Sequence, residues 1–131
     1  MRDYRRLAYG RRAHALTLRV YAETKSFPRD EVYGLTSQLR RSVSSIPANI
    51  AEGCGRDSDR ELARFLLISM GSANEAEYHL LLAKDLEYLS VGAHDALASD
   101  LGEIKRMMTG LLARLPSRRS ELEARGSELE A

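Results

Sequence analysis

Apolar residues recur at steps of three and four along most of the chain, the spacing that puts side chains on one face of an α-helix. Four segments show this pattern, which predicts helices over roughly residues 5–26, 28–52, 58–89 and 90–115. Short connections and no strand pattern predict an all-α, antiparallel up-down four-helix bundle. The predicted core positions are Ala13, Leu16, Val20, Thr24 and Phe27; Leu35, Leu39, Val43, Ile46 and Ile50; Leu62, Phe65, Leu66, Ser69, Ala73, Ala76, Leu80, Ala83 and Leu86 or Glu87; and Leu97, Leu101, Ile104, Met108, Leu111, Leu112 and Leu115.

Two prolines shape the second predicted helix. Pro28 is expected in its first turn, where the missing N–H costs nothing. Pro47 lies inside the helix and removes the backbone hydrogen bond to the Val43 carbonyl. Because this loss costs about 3 kcal/mol unless the helix bends or a side chain compensates, the sequence predicts a kinked second helix.

Glycines and a serine mark the corner between the second and third helices. Gly53 and Gly55 are expected to end the second helix, since either can adopt the left-handed conformation of a C-terminal cap. Ser58 and Glu61 match a capping box, which predicts that the third helix begins at about residue 58. Gly71 lies in the middle of that helix and predicts the close approach of a neighbouring helix.

The length and the C-terminal composition suggest one domain and a tail. A chain of 131 residues is long enough to bury one core. The pattern assigns residues 1–116 to the bundle, with Pro116 closing the fourth helix. Residues 117–131, SRRSELEARGSELEA, have too few apolar side chains to pack and are expected to be disordered.

Composition limits the cellular compartments and the kinds of site that the sequence is compatible with. Cys54 is the only cysteine, so an intramolecular disulfide framework and a multi-cysteine metal site are excluded. No apolar stretch approaches the roughly 18 residues of a membrane helix, and the N-terminus has no apolar core typical of a secretory signal. These features predict a cytoplasmic protein that does not enter a membrane.

The net charge of +1 hides an uneven distribution. Residues 1–64 hold 13 Lys or Arg and 8 Asp or Glu, whereas residues 65–131 hold 7 and 11. A basic half suits an anionic partner, and a basic and an acidic half also suit contact between identical subunits. The charge distribution alone is compatible with either kind of partner.

No catalytic or cofactor motif stands out. Cys54 lies between two glycines, but no basic activator can be assigned to it by spacing, so a buried or incidental thiol is favoured over a nucleophile. The pair Glu75 and His79 supplies two ligands, which do not make a metal site. The sequence therefore predicts no catalytic residue, no metal and no cofactor.

The strongest functional candidates are arginines and a few polar residues of the second and third helices. The arginines can present guanidinium groups to phosphates, although Asp57, Asp59 and Glu61 interleave with them and are equally typical of a solvated face. The polar residues are expected to fix the register of helices or subunits rather than to catalyse a reaction. The arginines are Arg40, Arg41, Arg56, Arg60 and Arg64, and the polar residues are Asn49, Glu52, Ser72 and Glu75.

Residues 27–89 closely resemble the four-helix-bundle family named for reading frames within intervening sequences of large-subunit (23S) ribosomal RNA. A weaker resemblance extends to about 110 residues. The motifs that carry it are Phe27-Pro28, Tyr33-Gly34-Leu35, Ser37-Gln38-Leu39-Arg40-Arg41, Ser45-Ile46-Pro47-Ala48-Asn49-Ile50-Ala51-Glu52-Gly53, Gly55-Arg56, Arg64-Phe65-Leu66 and Gly71-Ser72-Ala73.

The resemblance implies a helical bundle that assembles as a ring-shaped homopentamer. It also implies kinship with the accessory protein of diversity-generating retroelements, a basic ring that binds nucleic acid and a reverse transcriptase. Two hypotheses follow. The first is a non-enzymatic oligomeric scaffold that binds RNA or DNA, as an accessory to a reverse transcriptase or other nucleic-acid enzyme. The second is a purely structural protein–protein interaction module.

Overall fold

A computed structural model describes residues 7–115 and Gly126 of the chain. It contains four α-helices: α1 (Ala8–Thr24), α2 (Leu35–Cys54), α3 (Asp59–Asp85) and α4 (Val91–Arg114). Each helix packs against the next one along the chain, and α1 packs against α4 to close the bundle. The predicted all-α four-helix bundle is therefore confirmed. The predicted tail, 117–131, lies outside the described residues apart from Gly126.

The core consists of the apolar stripes that the spacing predicts. All of the predicted positions of the first two stripes are buried, as are those of the third from Leu62 to Ala83 and those of the fourth from Leu97 to Met108. The prediction fails at the end of the third stripe. Leu86 is 46% exposed, because α3 ends at Asp85 and the chain turns there.

The start of α2 differs from the prediction. Pro28 has an extended backbone (ψ 143°) and precedes a single 3₁₀ turn, Arg29–Glu31, instead of opening the α-helix. Gly34 then has non-helical angles, φ −107° and ψ −118°, and α2 begins after it. The apolar stripe starts at Leu35, so the spacing alone could not show that residues 28–34 form a separate turn.

Pro47 lies within α2, which continues as a helix to Cys54. Proline has no N–H to donate to the Val43 carbonyl four residues earlier. The hydroxyl of Thr17 on α1 lies 3.4 Å from that carbonyl and 2.8 Å from the carbonyl of Ala13 in its own helix. A side chain of the neighbouring helix thus approaches the backbone group that the proline leaves unpaired.

The corner between α2 and α3 uses its glycines differently from the prediction. No described glycine has a positive φ, so neither Gly53 nor Gly55 is a left-handed cap. Gly53 is instead a packing residue, because a Cβ added there would lie 2.9 Å from the Cβ of Phe65 on α3. Ser58 caps α3 as predicted, since its hydroxyl accepts a hydrogen bond from the Glu61 N–H at 3.1 Å.

The turn from α3 to α4 contains the only non-glycine residue with a positive φ in the described part of the chain. Glu87 has φ 63°. The N–H of Tyr88 donates to the Ala83 carbonyl, and the N–H of Glu87 donates to the Lys84 carbonyl, both at 2.9 Å. This is the Schellman motif, with Glu87 at the position that glycine usually occupies.

Candidate nucleic-acid interface

The five candidate arginines form two groups rather than one patch. Arg40 and Arg41 lie in the second turn of α2, whereas Arg56 follows the end of that helix, and Arg60 and Arg64 lie in the first two turns of α3. At 1.5 Å per residue, the remaining length of α2 separates the groups by about 20 Å. We call the second group the corner arginines. A single ligand must span that distance to contact both groups.

Two of the corner arginines lie over an aromatic ring. The guanidinium carbons of Arg56 and Arg64 lie 5.1 Å and 4.5 Å from the centre of the Phe65 ring. Arg56 also lies 3.5 Å from a carboxylate oxygen of Glu52, and Arg64 lies 3.0 Å from one of Glu61. Because acidic neighbours accompany these cations, the positive field at the corner is weakened.

Arg40 has a different environment. Its Nε donates to the Thr24 hydroxyl at 2.7 Å, and its guanidinium carbon lies 4.8 Å from the centre of the Tyr21 ring. Within residues 7–115, no carboxylate lies within ion-pair distance of Arg40. Its positive charge is therefore held in a fixed orientation by groups that do not neutralise it.

Arg41 is turned toward α3. Its Nη2 donates to the amide oxygen of Gln38 at 2.7 Å and lies 3.5 Å from a carboxylate oxygen of Glu75. Glu75 also lies 3.3 Å from Nε2 of His79. Nδ1 of His79 is buried, with no hydrogen-bond partner among the described residues. A proton on that atom would be an unsatisfied buried donor, so neutral His79 carries its proton on Nε2, facing Glu75.

The candidate polar residues link α2 and α3 along one line. The Asn49 amide donates to the carbonyl of Ser45 at 2.8 Å and to its hydroxyl at 2.9 Å. The Ser72 hydroxyl of α3 donates to the same Ser45 hydroxyl at 2.9 Å. Glu52 and Glu75 lie beyond the two ends of this cluster, each beside an arginine. Contacts between the two packed helices are therefore enough to explain the positions of these polar side chains.

Between α1 and α2 lies a groove of about 440 Å³, which we call the α1–α2 groove. Tyr21 of α1 and Val32, which precedes α2, form one side, and Arg40, Arg41 and hydroxyl side chains of α2 line the remainder. Sequence reasoning missed this groove. The residues that form it come from three segments, and only the packing of α1 on α2 brings them together.

The outer side of α3 carries a second apolar stripe, which sequence reasoning also missed. Leu67, Tyr78 and Leu81 are 62%, 59% and 42% exposed. With Gly71 and Asn74 between them, they recur at steps of four and three on the side opposite the buried stripe. The signal was present in the spacing, but it is hidden by the stronger pattern of the core positions. We call these five residues the outer stripe.

Cys54 and the metal-ligand candidates give no catalytic geometry. Cys54 is buried at the end of α2, with 1% of its surface exposed. No group of three or more His, Cys, Asp or Glu side chains that could hold a metal ion occurs among residues 7–115. Within the same range, no helix is long and apolar enough to cross a membrane.

Among residues 7–115, two groups have clearly perturbed pKa values, and neither is one of the candidate residues. Burial, the charge of Glu31 and a hydrogen bond with that carboxylate raise the pKa of Tyr88. A hydrogen bond from Arg106, together with its charge, lowers the pKa of Glu103. Both shifts have ordinary structural causes, so they do not indicate a reaction centre.

The fold and these surfaces define an all-α bundle protein with two exposed arginine groups and an apolar outer helix face. The chain matches the model of the 23S rRNA-intervening sequence protein family over residues 5–110, and it therefore belongs to that family. This confirms the resemblance found in the sequence.

One solved structure shows the same fold. It is the crystal structure of a protein with unknown function from the S23 ribosomal protein family of Bacteroides thetaiotaomicron. The two structures match with a TM-score of 0.75 and 24% sequence identity, over 80% of this chain and 98% of that chain. No curated protein matches the chain.

Proposed function

We propose that this protein is a non-enzymatic, oligomeric helical-bundle scaffold that binds the backbone of RNA or DNA through its exposed arginines. The observation that carries the oligomeric part of the proposal is the outer stripe of α3. A helix that is apolar on two opposite sides is typical of one that is buried on both, and the bundle covers only one side.

The outer stripe favours another copy of the chain as its cover. Burying a large apolar side chain such as Leu67 or Leu81 contributes about 1.5–3 kcal/mol. Gly71 lies in the middle of the stripe, and a Cβ added there would meet nothing within 4 Å. The close helix approach that this glycine predicts is therefore not made within the described chain, but it is available to a second subunit. The ring-shaped homopentamer is the assembly we propose.

Native mass spectrometry at micromolar concentration tests the assembly. We expect a pentamer for the wild type and subunit dissociation for Leu67→Glu, because the substitution puts a charge in the contact. Val91→Glu is the matched control, since Val91 is 64% exposed at the start of α4 and is not part of the outer stripe. A monomeric wild type would overturn the assembly, and equal dissociation of both variants would show that the outer stripe is not the contact.

Arginine is well suited to phosphate, because its planar guanidinium forms paired hydrogen bonds with phosphate oxygens. The arginines of α2 and the corner are partly or fully exposed. No base-reading element has been identified on these helices, so we propose binding to the backbone, without sequence preference. A scaffold of this kind suits an accessory role beside a reverse transcriptase or other nucleic-acid enzyme in the cytoplasm.

A salt titration of binding to random RNA and to duplex DNA tests the second half of the proposal. The logarithm of the affinity should fall linearly with the logarithm of salt concentration, by about 0.7–0.9 per phosphate contacted. Replacing Arg56, Arg60 and Arg64 together by alanine should flatten the slope. Absence of binding at low salt would refute the nucleic-acid role.

The second candidate, a purely structural interaction module, is favoured by a specific observation. Arg41, Arg56 and Arg64 each lie within 3.5 Å of a carboxylate oxygen. Such pairs compete with a phosphate for the same donors. If the ring assembles but no nucleic acid binds at low salt, the result supports a purely structural protein–protein interaction module.

A further inference from the structure

The α1–α2 groove differs in its charge from a second surface groove of the described residues. That second groove, of about 560 Å³, lies between α3 and α4 and is lined in part by Lys105 and Arg106. Lys105 lies 3.1 Å from Glu77, and Arg106 lies 2.6 Å from Glu103, so both of its cations are paired. In the α1–α2 groove, Arg40 is not paired with a carboxylate of the described chain. A negatively charged ligand is therefore favoured in the α1–α2 groove.

The groove also has the polar lining that an anion requires. The hydroxyls of Thr36, Ser37 and Ser44 share it with Arg40 and Arg41. Hydroxyls and guanidinium groups are among the side chains that contact phosphate oxygens in nucleic-acid complexes. A volume of about 440 Å³ lies within the range of about 300–1,000 Å³ that is typical of ligand sites.

One exposed tyrosine lines the groove, and another follows a lining residue in the sequence. Tyr21, which lines the groove, is 41% exposed, and Tyr33 is 93% exposed directly after the lining residue Val32. Glu31, the nearest acidic side chain in sequence to Tyr33, forms a hydrogen bond with Tyr88 and no ion pair with Arg40. An exposed tyrosine beside an unneutralised guanidinium offers a stacking surface and a phosphate contact together.

Base stacking on aromatic side chains requires unpaired bases, because the bases of a duplex are already stacked on each other. We infer that the α1–α2 groove binds single-stranded nucleic acid, with a phosphate at Arg40 and a base stacked on Tyr33. This inference rests on the proposed nucleic-acid binding and deepens it. It assigns the base-stacking contact to the groove, in addition to the backbone contacts of the corner arginines, and the substrate class to single strands.

Fluorescence anisotropy with the full chain tests the inference. The probes are a labelled, unstructured 12-nucleotide RNA, the duplex of the same sequence, and an acidic peptide of matched charge. We expect the single strand to bind more tightly than the duplex and the peptide. Tyr33→Ala should weaken single-strand binding about fivefold or more, the effect of losing one stacked base, and should leave duplex binding unchanged.

Three variants make the result specific. Tyr33→Phe keeps the ring and should bind as the wild type does. Val91→Ala removes an exposed apolar side chain of α4 that does not line the groove, and it should also have no effect. Arg40→Gln should lower the salt slope by the contribution of about one phosphate. Because Tyr33 is almost fully exposed, its substitutions test the contact without depending on the fold.

The outcomes separate this inference from the function on which it rests. If single strand and duplex bind equally and Tyr33→Ala changes neither, the groove assignment is wrong while the nucleic-acid scaffold stands. If the acidic peptide binds as tightly as the single strand, the ligand class is wrong. If no oligonucleotide binds at low salt, both the groove assignment and the proposed nucleic-acid binding are refuted.

Discussion

Gly53→Ala is the substitution for which the structure makes the sharpest prediction about the corner of the bundle. The added Cβ would lie 2.9 Å from the Cβ of Phe65 and 3.2 Å from a methyl carbon of Leu62. The Cβ of Phe65 is attached directly to the backbone of α3, so the contact is relieved only if α2 and α3 move apart. Overpacking of this kind costs about 1–3 kcal/mol.

A second effect opposes this cost. Gly53 has ordinary helical φ, and alanine in a helix is about 1 kcal/mol more favourable than glycine. Gly102→Ala in α4 isolates that gain, because its new Cβ would come no closer than 3.6 Å to the movable end of Arg106. The propensity gain cancels between the two variants. The expected difference in the free energy of unfolding is therefore about 1–3 kcal/mol, with Gly53→Ala the less stable.

Denaturant unfolding followed by far-UV circular dichroism measures this difference. All variants must be compared at one protein concentration, because assembly makes apparent stability concentration-dependent. In thermal unfolding, 1 kcal/mol corresponds to about 4 °C for a domain of this size. A Gly53→Ala variant as stable as Gly102→Ala would refute the close contact between α2 and α3.

Three further substitutions test individual contacts. Ser69→Ala removes the buried hydroxyl that donates to the Ile46 carbonyl at 3.0 Å and should lower the free energy of unfolding by about 0.5–1.5 kcal/mol in denaturant unfolding. Glu87→Gly relieves the left-handed backbone of the α3–α4 turn and should raise the free energy of unfolding by about 1 kcal/mol; a loss in the same assay would contradict the turn geometry. The lowered pKa of Glu103 stabilises the fold above the ordinary pKa of 4.5, and this stability is lost as the pH falls through the pKa of the folded state. Because the hydrogen bond and charge of Arg106 lower the pKa, Arg106→Gln should raise the titration midpoint of Glu103 measured by NMR. An unchanged midpoint would exclude that hydrogen bond.

The helices and their core faces were predictable because a helix repeats every 3.6 residues, so the spacing of Leu35, Leu39 and Val43 specifies a face whatever it packs against. The Ser58 cap was predictable for a similar reason, since its hydrogen bond to Glu61 spans three residues of one segment. The turn at Pro28 was not predictable from the sequence, because an α-helix and a 3₁₀ turn both accept proline at their start.

The candidate sites were less accessible to sequence reasoning. Spacing grouped Arg56 and Arg64 as one cationic face, but it could not show that both would lie over Phe65 with carboxylates beside them. The spacing also grouped Arg40 and Arg41 as if they were equivalent residues. Their environments differ because adjacent residues on a helix point about 100° apart, so Arg40 meets α1 and Arg41 meets α3.

The sequence by itself determined the number of helices, most of the residues they bury, the Ser58 cap and the family, since each depends on contacts within one segment or on the order of residues along it. The tertiary structure decided which side chains from different helices meet. It placed Gly53 against Phe65, left Arg40 in a groove without a carboxylate, and left the outer stripe of α3 uncovered. Such features depend on how far apart two helices pack and how each is rotated about its axis. Those quantities are set by the whole core and are not encoded in the period of any one helix.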